Sequence, residues 1–134
     1  MKKIGIIGVG KMGLSHLAIA NQTQGIDVVA ICDKSKFLIK ALSKNTGING
    51  YTDHNKMITN EELDAVLVSV PNAFHYSIAK ECLKNNLNIF IEKPFTLNNN
   101  ESQELSDLSL SKGLIGQVGY VNRFNPIFSH LKKL

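Results

Sequence analysis

Six residues near the start of the chain, Gly8-Val9-Gly10-Lys11-Met12-Gly13, restrict its fold more than any other feature. A short apolar run, Ile4-Gly5-Ile6-Ile7, precedes them, and a stretch with helical spacing, Leu14, Leu17 and Ala18, follows. Strand, glycine turn and helix in that order are the setting of a dinucleotide-binding fingerprint. In such a turn Gly8 permits the tight bend out of the strand. Gly10 lets a pyrophosphate approach the backbone, and Gly13 lets helix and strand pack closely. Lys11 and Met12 then open the helix, whose free N–H groups and positive dipole end face the phosphates. A second apolar run, Val28-Val29-Ala30-Ile31-Cys32, ends in Asp33, twenty residues beyond Gly13. That is the spacing of the carboxylate that holds the adenosine ribose hydroxyls and disfavours a 2′-phosphate. NAD is therefore expected ahead of NADP, with Lys34 and Lys36 close enough to blunt the preference.

The remaining pattern alternates strand and helix. Lys34 to Thr46 has helical spacing in Phe37, Leu38, Ala41 and Leu42, and Gly47 stops it. Gly50-Tyr51-Thr52 forms a short third strand, and Asp53 caps a half-apolar piece after it. Ala65 to Val70 is a continuous apolar run, the mark of a strand buried on both faces of a parallel sheet. Pro71-Asn72 ends it. Ala73 to Asn85 reads as a helix whose apolar side carries Phe74, Ile78, Ala79, Cys82 and Leu83. Ile89-Phe90-Ile91 is the next strand, halted by Glu92-Lys93-Pro94. One of Asn98-Asn99-Asn100 caps a helix from Glu101 to Lys112, and Leu114 to Val121 forms the last strand. The expected architecture is α/β: a Rossmann doubly wound parallel sheet in the order 3-2-1-4-5-6.

Composition narrows the function classes. Forty-three per cent of the 134 residues are hydrophobic, enough for one packed domain. No apolar run approaches the ~20 residues of a membrane helix. Met1-Lys2-Lys3 resembles the start of a secretory leader, but the apolar run behind it is short and carries the glycine motif, so the cytoplasm is the expected location. The net charge of +4 comes from scattered lysines, with no basic stripe that would suit nucleic acid. Cys32 and Cys82 lack metal-ligand or CxxC spacing and are expected to be reduced core thiols, and no metal is expected. His16, His54 and His130 have no partner spacing and are expected at the surface. His75 is expected either as a polar or capping group at the start of a helix or as part of the cofactor cleft.

In a doubly wound sheet the ligand lies beyond the carboxyl ends of the strands, where the strand order reverses. The glycine turn, Asp33, Pro71-Asn72 with His75, and Glu92-Lys93-Pro94 all fall at strand ends. These residues, with Val70-Pro71-Asn72-Ala73-Phe74-His75 and Gly119-Tyr120-Val121-Asn122-Arg123-Phe124, resemble the N-terminal domain of the glucose–fructose oxidoreductase, inositol dehydrogenase and rhizopine-catabolism (Gfo/Idh/MocA) family. The resemblance spans essentially the whole chain. It implies an NAD(P)-dependent oxidoreductase that moves hydride to or from a hydroxyl carbon of a sugar, polyol or nucleotide sugar. It implies that Lys93 lies by nicotinamide and substrate and assists catalysis, and that Glu92 sits near the nicotinamide ribose. Pro71, Asn72 and His75 would line the cofactor cleft, and Arg123 would lie near the active site. A lysine so placed takes up the hydroxyl proton or polarises the oxygen as a cation.

Family members carry a second domain that supplies the substrate pocket. Residues 1–121 then form the dinucleotide-binding domain and 122–134 the start of the connection to that second domain, which these residues do not encode. The whole protein is expected to be a homo-oligomer. The Gly119 to Pro126 stretch resembles members acting on nucleotide-linked amino sugars, such as a UDP-amino-sugar 3-dehydrogenase. Two other readings compete: a stand-alone, non-catalytic dinucleotide-binding module, and a methyltransferase with a similar glycine loop. Glu92-Lys93-Pro94 and the third glycine argue against the methyltransferase.

Overall fold

The computed structural model describes residues 1–133. Six strands form one parallel sheet: β1 (Lys2–Ile7), β2 (Ile26–Cys32), β3 (Asn49–Tyr51), β4 (Ala65–Val68), β5 (Asn88–Ile91) and β6 (Gly116–Val118). Their order is β3-β2-β1-β4-β5-β6, as the alternation predicts. The helices are α1 (Lys11–Ala20), α2 (Lys36–Thr46), α3 (His54–Asn60), α4 (His75–Lys84), α5 (Asn99–Ser111) and α6 (Pro126–Leu131).

Successive residues of a strand face opposite sides, and the two cores follow from that alternation, broken once in β2 where the register with β1 skips Val29 and so returns Val28 and Ile31 to one face. Ile6, Val28 and Ile31 pack with Leu17 and Ala20 of α1 and Ile39 of α2 on one face. Ile7, Ala30, Cys32, Val66 and Val68 pack with Met57, Ile78, Cys82 and Leu105 of α3, α4 and α5 on the other. Right-handed crossovers produce this division, because the chain winds one way from β1 to β3 and the opposite way from β4 to β6.

Several details depart from the sequence pattern. The buried face of α1 is Gly13, Leu17 and Ala20, while Leu14 and Ala18 point outward. Helix α2 begins at Lys36, with the Ser35 hydroxyl accepting from Leu38 N–H at 3.3 Å, and its buried residue is Ile39. Phe37, about 200° around the helix from Ile39, is 85% exposed. The expected helix from Ala73 divides into a 3-10 turn (Asn72–Phe74) and α4, which leaves Phe74 outside the core. Asn98 caps α5 by accepting from Glu101 N–H. The last strand ends at Val118 because the N–H groups of Tyr120 and Val121 turn back onto the carbonyls of Val118 and Gly119. Between α4 and α5, Lys80, Tyr76 and Glu104 form one hydrogen-bonded group at the surface. The Glu104 carboxylate and the Tyr76 hydroxyl hold the Lys80 ammonium above the usual lysine range.

The segment from Tyr120 to Leu131 leaves Tyr120, Val121, Phe124, Ile127, Phe128 and Leu131 all more than half exposed. Large apolar side chains exposed together in one short segment favour association with a partner. The chain is expected to self-associate at high concentration, read by light scattering. A monodisperse monomer at millimolar concentration would contradict this.

Candidate functional site

The glycine turn is held by the backbone around it. Gly8 sits at φ +87°, in the left-handed region, and a Cβ there would stand 2.4 Å from the Ser69 carbonyl oxygen. A Cβ on Gly13 would stand 1.9 Å from the Gly8 carbonyl oxygen, so α1 approaches the turn only because residue 13 has no side chain. Gly10 differs from both. It has an ordinary negative φ, and a Cβ would meet no atom within 4 Å. No side chain caps α1, so the N–H groups of its first turn, where Lys11 and Met12 lie exposed, have no side-chain acceptor, an arrangement that suits an anion.

Asp33 stands at the end of β2. One oxygen of its carboxylate accepts from Val9 N–H at 3.0 Å and the other from Ser35 N–H at 2.9 Å. The acidic group therefore also braces the glycine turn, a role that spacing alone does not reveal. Beside it opens a cavity of about 480 Å³ at the carboxyl ends of β1, β2, β3 and β4, where the strand order reverses. Gly8, Gly10, Asp33 and Pro71 line it, with Thr52, His54, Ser69, Phe74 and Ser77, none of which the sequence pattern singled out as site residues. His54, expected at the open surface, thus borders the cavity. It follows Asp53, whose carboxylate accepts from Asn55 N–H, and that cap aims the start of α3 at the cavity rim. The Lys34 ammonium rests over the Phe74 ring, 4.5 Å from its centre. Cys32 also lines the cavity. Burial, aided by the Asp33 and Asp53 carboxylates, pushes its thiol up to about 12, so it offers no thiolate near neutral pH. Cys82 is likewise pushed up to about 12 by burial.

His75 is a core residue, 1% exposed, and neither a surface cap nor part of this cavity's lining. Its Nδ1 lies 2.8 Å from the Pro94 carbonyl oxygen and its Nε2 2.9 Å from that of Val70. A neutral ring donates to one of these carbonyls and an imidazolium to both. The ring staples the Val70-Pro71 turn to the Lys93-Pro94 turn, which is a cis peptide. Two motifs far apart in sequence are thereby one physical unit. Asn72 is exposed at the start of the 3-10 turn and does not line the cavity.

Glu92 and Lys93 follow β5 directly. Glu92 is buried and Lys93 exposed. The Glu92 carboxyl group lies beside Gly119: a Cβ there would touch it at 3.4 Å, an ordinary contact, and would stand closer, 3.2 Å, to Phe90. His16, expected at the surface without a partner, places Nε2 2.7 Å from Glu92 Oε1 and its ring edge against Phe90. It sits on α1 facing the end of β5, a contact between elements that helical spacing cannot disclose. Arg123 lies apart from the cavity, in a shallow exposed depression with Asn122, Phe128, Ser129 and Lys132.

Residues 2–120 match the family described as "Oxidoreductase family, NAD-binding Rossmann fold", Gfo/Idh/MocA. The chain belongs to this oxidoreductase family. Among its relatives, inositol 2-dehydrogenase of Corynebacterium glutamicum (strain R) is 34% identical over 136 aligned residues, covering 98% of this chain and 40% of the relative. The solved scyllo-inositol dehydrogenase of Lactobacillus casei with NAD(H) and scyllo-inositol superposes with a TM-score of 0.89 at 26% identity, across 100% of this chain and 40% of that one. The WlbA dehydrogenase of Bordetella pertussis, in complex with NADH and UDP-GlcNAcA, gives a TM-score of 0.91 at 22% identity, over 98% of this chain and 41% of that one, a likeness of fold. The chain spans about 40% of the length of the relatives it matches. Among the described residues no helix is long and apolar enough to cross a membrane.

Proposed function

We propose that this chain is the NAD-binding part of a dehydrogenase acting on a hydroxyl of a cyclic polyol or sugar. The observation that carries the reading is Gly10. Among the described residues nothing requires a glycine there, yet it sits in open space beside the uncapped N-terminus of α1 and the Asp33 cavity. A ligand that must touch the backbone at that point explains the absence of a side chain. Gly8, Gly10, Lys11, Met12 and Gly13 would hold the pyrophosphate, Asp33 the adenosine ribose, and Pro71 the edge of the same cleft. Asn72, His75 and Arg123 would act around it, His75 by fixing the two turns it joins.

The nicotinamide, when bound, supplies the hydride acceptor or donor. Lys93 would hold or take up the proton of the reacting hydroxyl, and Glu92 would anchor the nicotinamide ribose. Relatives of this chain at 26–34% identity include inositol dehydrogenases, which makes a cyclic polyol the first substrate class to try. The narrower reading, a UDP-amino-sugar 3-dehydrogenase, rests on the Gly119 to Pro126 stretch. In the whole protein residues 122–134 would lead from residues 1–121 to the substrate-binding part, and the exposed apolar side chains there would be covered.

NAD is expected to bind in preference to NADP. The Asp33 carboxylate accepts from a ribose diol and repels a 2′-phosphate, while Lys34 is engaged over Phe74. Parallel titrations of NADH and NADPH emission test this with little background, because the chain has no tryptophan. NADPH binding as tightly as NADH would overturn the assignment. Asp33→Asn is the informative variant. Its single carboxamide oxygen keeps one of the two backbone hydrogen bonds, its NH2 cannot accept the other, and the charge is lost, so the preference should shrink at a modest cost in thermal stability.

A further inference from the structure

We propose that His16 is a positioning residue, coupling the phosphate-binding helix to the nicotinamide end of the site through Glu92. The inference rests on the dinucleotide-binding reading above and adds a residue to it. The Glu92 carboxylate has two attachments. Oε1 accepts from His16 Nε2 at 2.7 Å, and Oε2 accepts from the backbone N–H of Lys93 at 3.2 Å. One carboxylate therefore ties the backbone of Lys93 to α1, whose first turn is the pyrophosphate end.

The pair is built to hold one geometry. The His16 and Glu92 side chains are 20% and 11% exposed. Phe90 backs the imidazole edge-on, with ring centres 5.4 Å apart. Gly119 lies alongside the carboxyl group, within van der Waals reach of it. A carboxylate accepts, so Nε2 is the ring nitrogen that carries the hydrogen. Removing the imidazole would leave a buried carboxyl oxygen without its donor, and the group would turn toward whatever water enters. The Glu92–Lys93 turn would then lose its reference to α1 while the glycine turn, braced separately by Asp33, stayed in place.

The test separates the two halves of the nucleotide. ADP carries the adenosine and the pyrophosphate but lacks the second ribose and the nicotinamide. His16→Ala is expected to weaken NADH binding about tenfold, the change that accompanies loss of one hydrogen bond to a charged group, and to leave ADP binding within about twofold. His16→Gln, which can present an N–H to the carboxylate, should recover most of the loss. In a double-mutant cycle with Glu92→Gln, the two changes should not add. Equal weakening of NADH and ADP, additive losses, or a glutamine variant no better than alanine would overturn the proposal. Should the alanine variant fold poorly, the wild-type chain still decides. The ring nitrogen resonances of His16 should move on adding NADH and stay put on adding ADP, and a ring that responds alike to both overturns the coupling. Wild-type protein that binds neither ligand would instead sink the dinucleotide reading itself.

Discussion

Gly10→Leu is expected to abolish NADH binding while leaving the fold intact, and Gly13→Ala to do the reverse damage first. The two glycines belong to one motif but answer to different neighbours. At Gly13 a single methyl group would fall 1.9 Å from the Gly8 carbonyl oxygen, backbone against backbone, with no flexible side chain to give way. Overpacking of that kind costs ~1–3 kcal/mol or more, which for a chain of this size lowers the thermal midpoint by roughly 5–10 °C. At Gly10 the backbone is in a conformation open to any L-residue and a Cβ meets nothing. Substitution there should change stability by less than about 1 kcal/mol, since the unfolded chain also loses freedom. The leucine side chain would nonetheless occupy the space that a pyrophosphate must enter. Thermal melts of the two variants, beside NADH titration of each, give the contrast. A Gly10→Leu protein that binds NADH like the parent would remove the main support for the site.

The order of elements was legible because each turn of this fold carries its own punctuation. The glycine motif, Asp33, Pro71-Asn72 and Glu92-Lys93-Pro94 all interrupt apolar runs, and the strands end within a few residues of them. Boundaries were less legible where burial depends on helix rotation, as with Phe37 and Ile39 of α2, or where backbone hydrogen bonds turn the chain, as at Tyr120 and Val121. The chemistry-bearing motifs were visible as residue types at strand ends. Their connections were not, because they run between elements distant in sequence. His75 joins two of the motifs through carbonyl groups, which have no signature in side-chain identity. His16 meets Glu92 across 76 positions, and no spacing rule reaches that far. Asp33 was expected as a ligand group alone and proves also to be a structural brace. The cavity wall formed by Thr52, His54, Phe74 and Ser77 was missed for a related reason: these residues are ordinary singly and significant only when the sheet brings them together.

This chain is expected to bind NADH and yet catalyse no turnover by itself. Binding needs the glycine turn, the uncapped helix end and Asp33, and all are in place. Turnover needs more. Well-oriented positioning of a substrate supplies roughly 7–11 kcal/mol of a barrier, and it requires surfaces that hold the substrate against the nicotinamide and exclude water. Lys93 is exposed, and among the described residues its backbone N–H is held by Glu92 while no hydrogen bond or ion pair fixes its ammonium group. A general acid–base group so placed contributes at most ~10²–10⁴-fold, far short of what an enzyme achieves. The 3-10 turn carrying Arg123 and the helix α6 after it are exposed as well, so they wall off nothing. Incubation with NAD and a panel of inositols, sugars and nucleotide sugars should give no rise in NADH absorbance, although the same preparation quenches or enhances NADH emission. Sustained NADH production from any of them would mean that these residues already contain a working substrate site. Lys93→Ala should then remove it, since the proposed function gives the hydroxyl proton to Lys93.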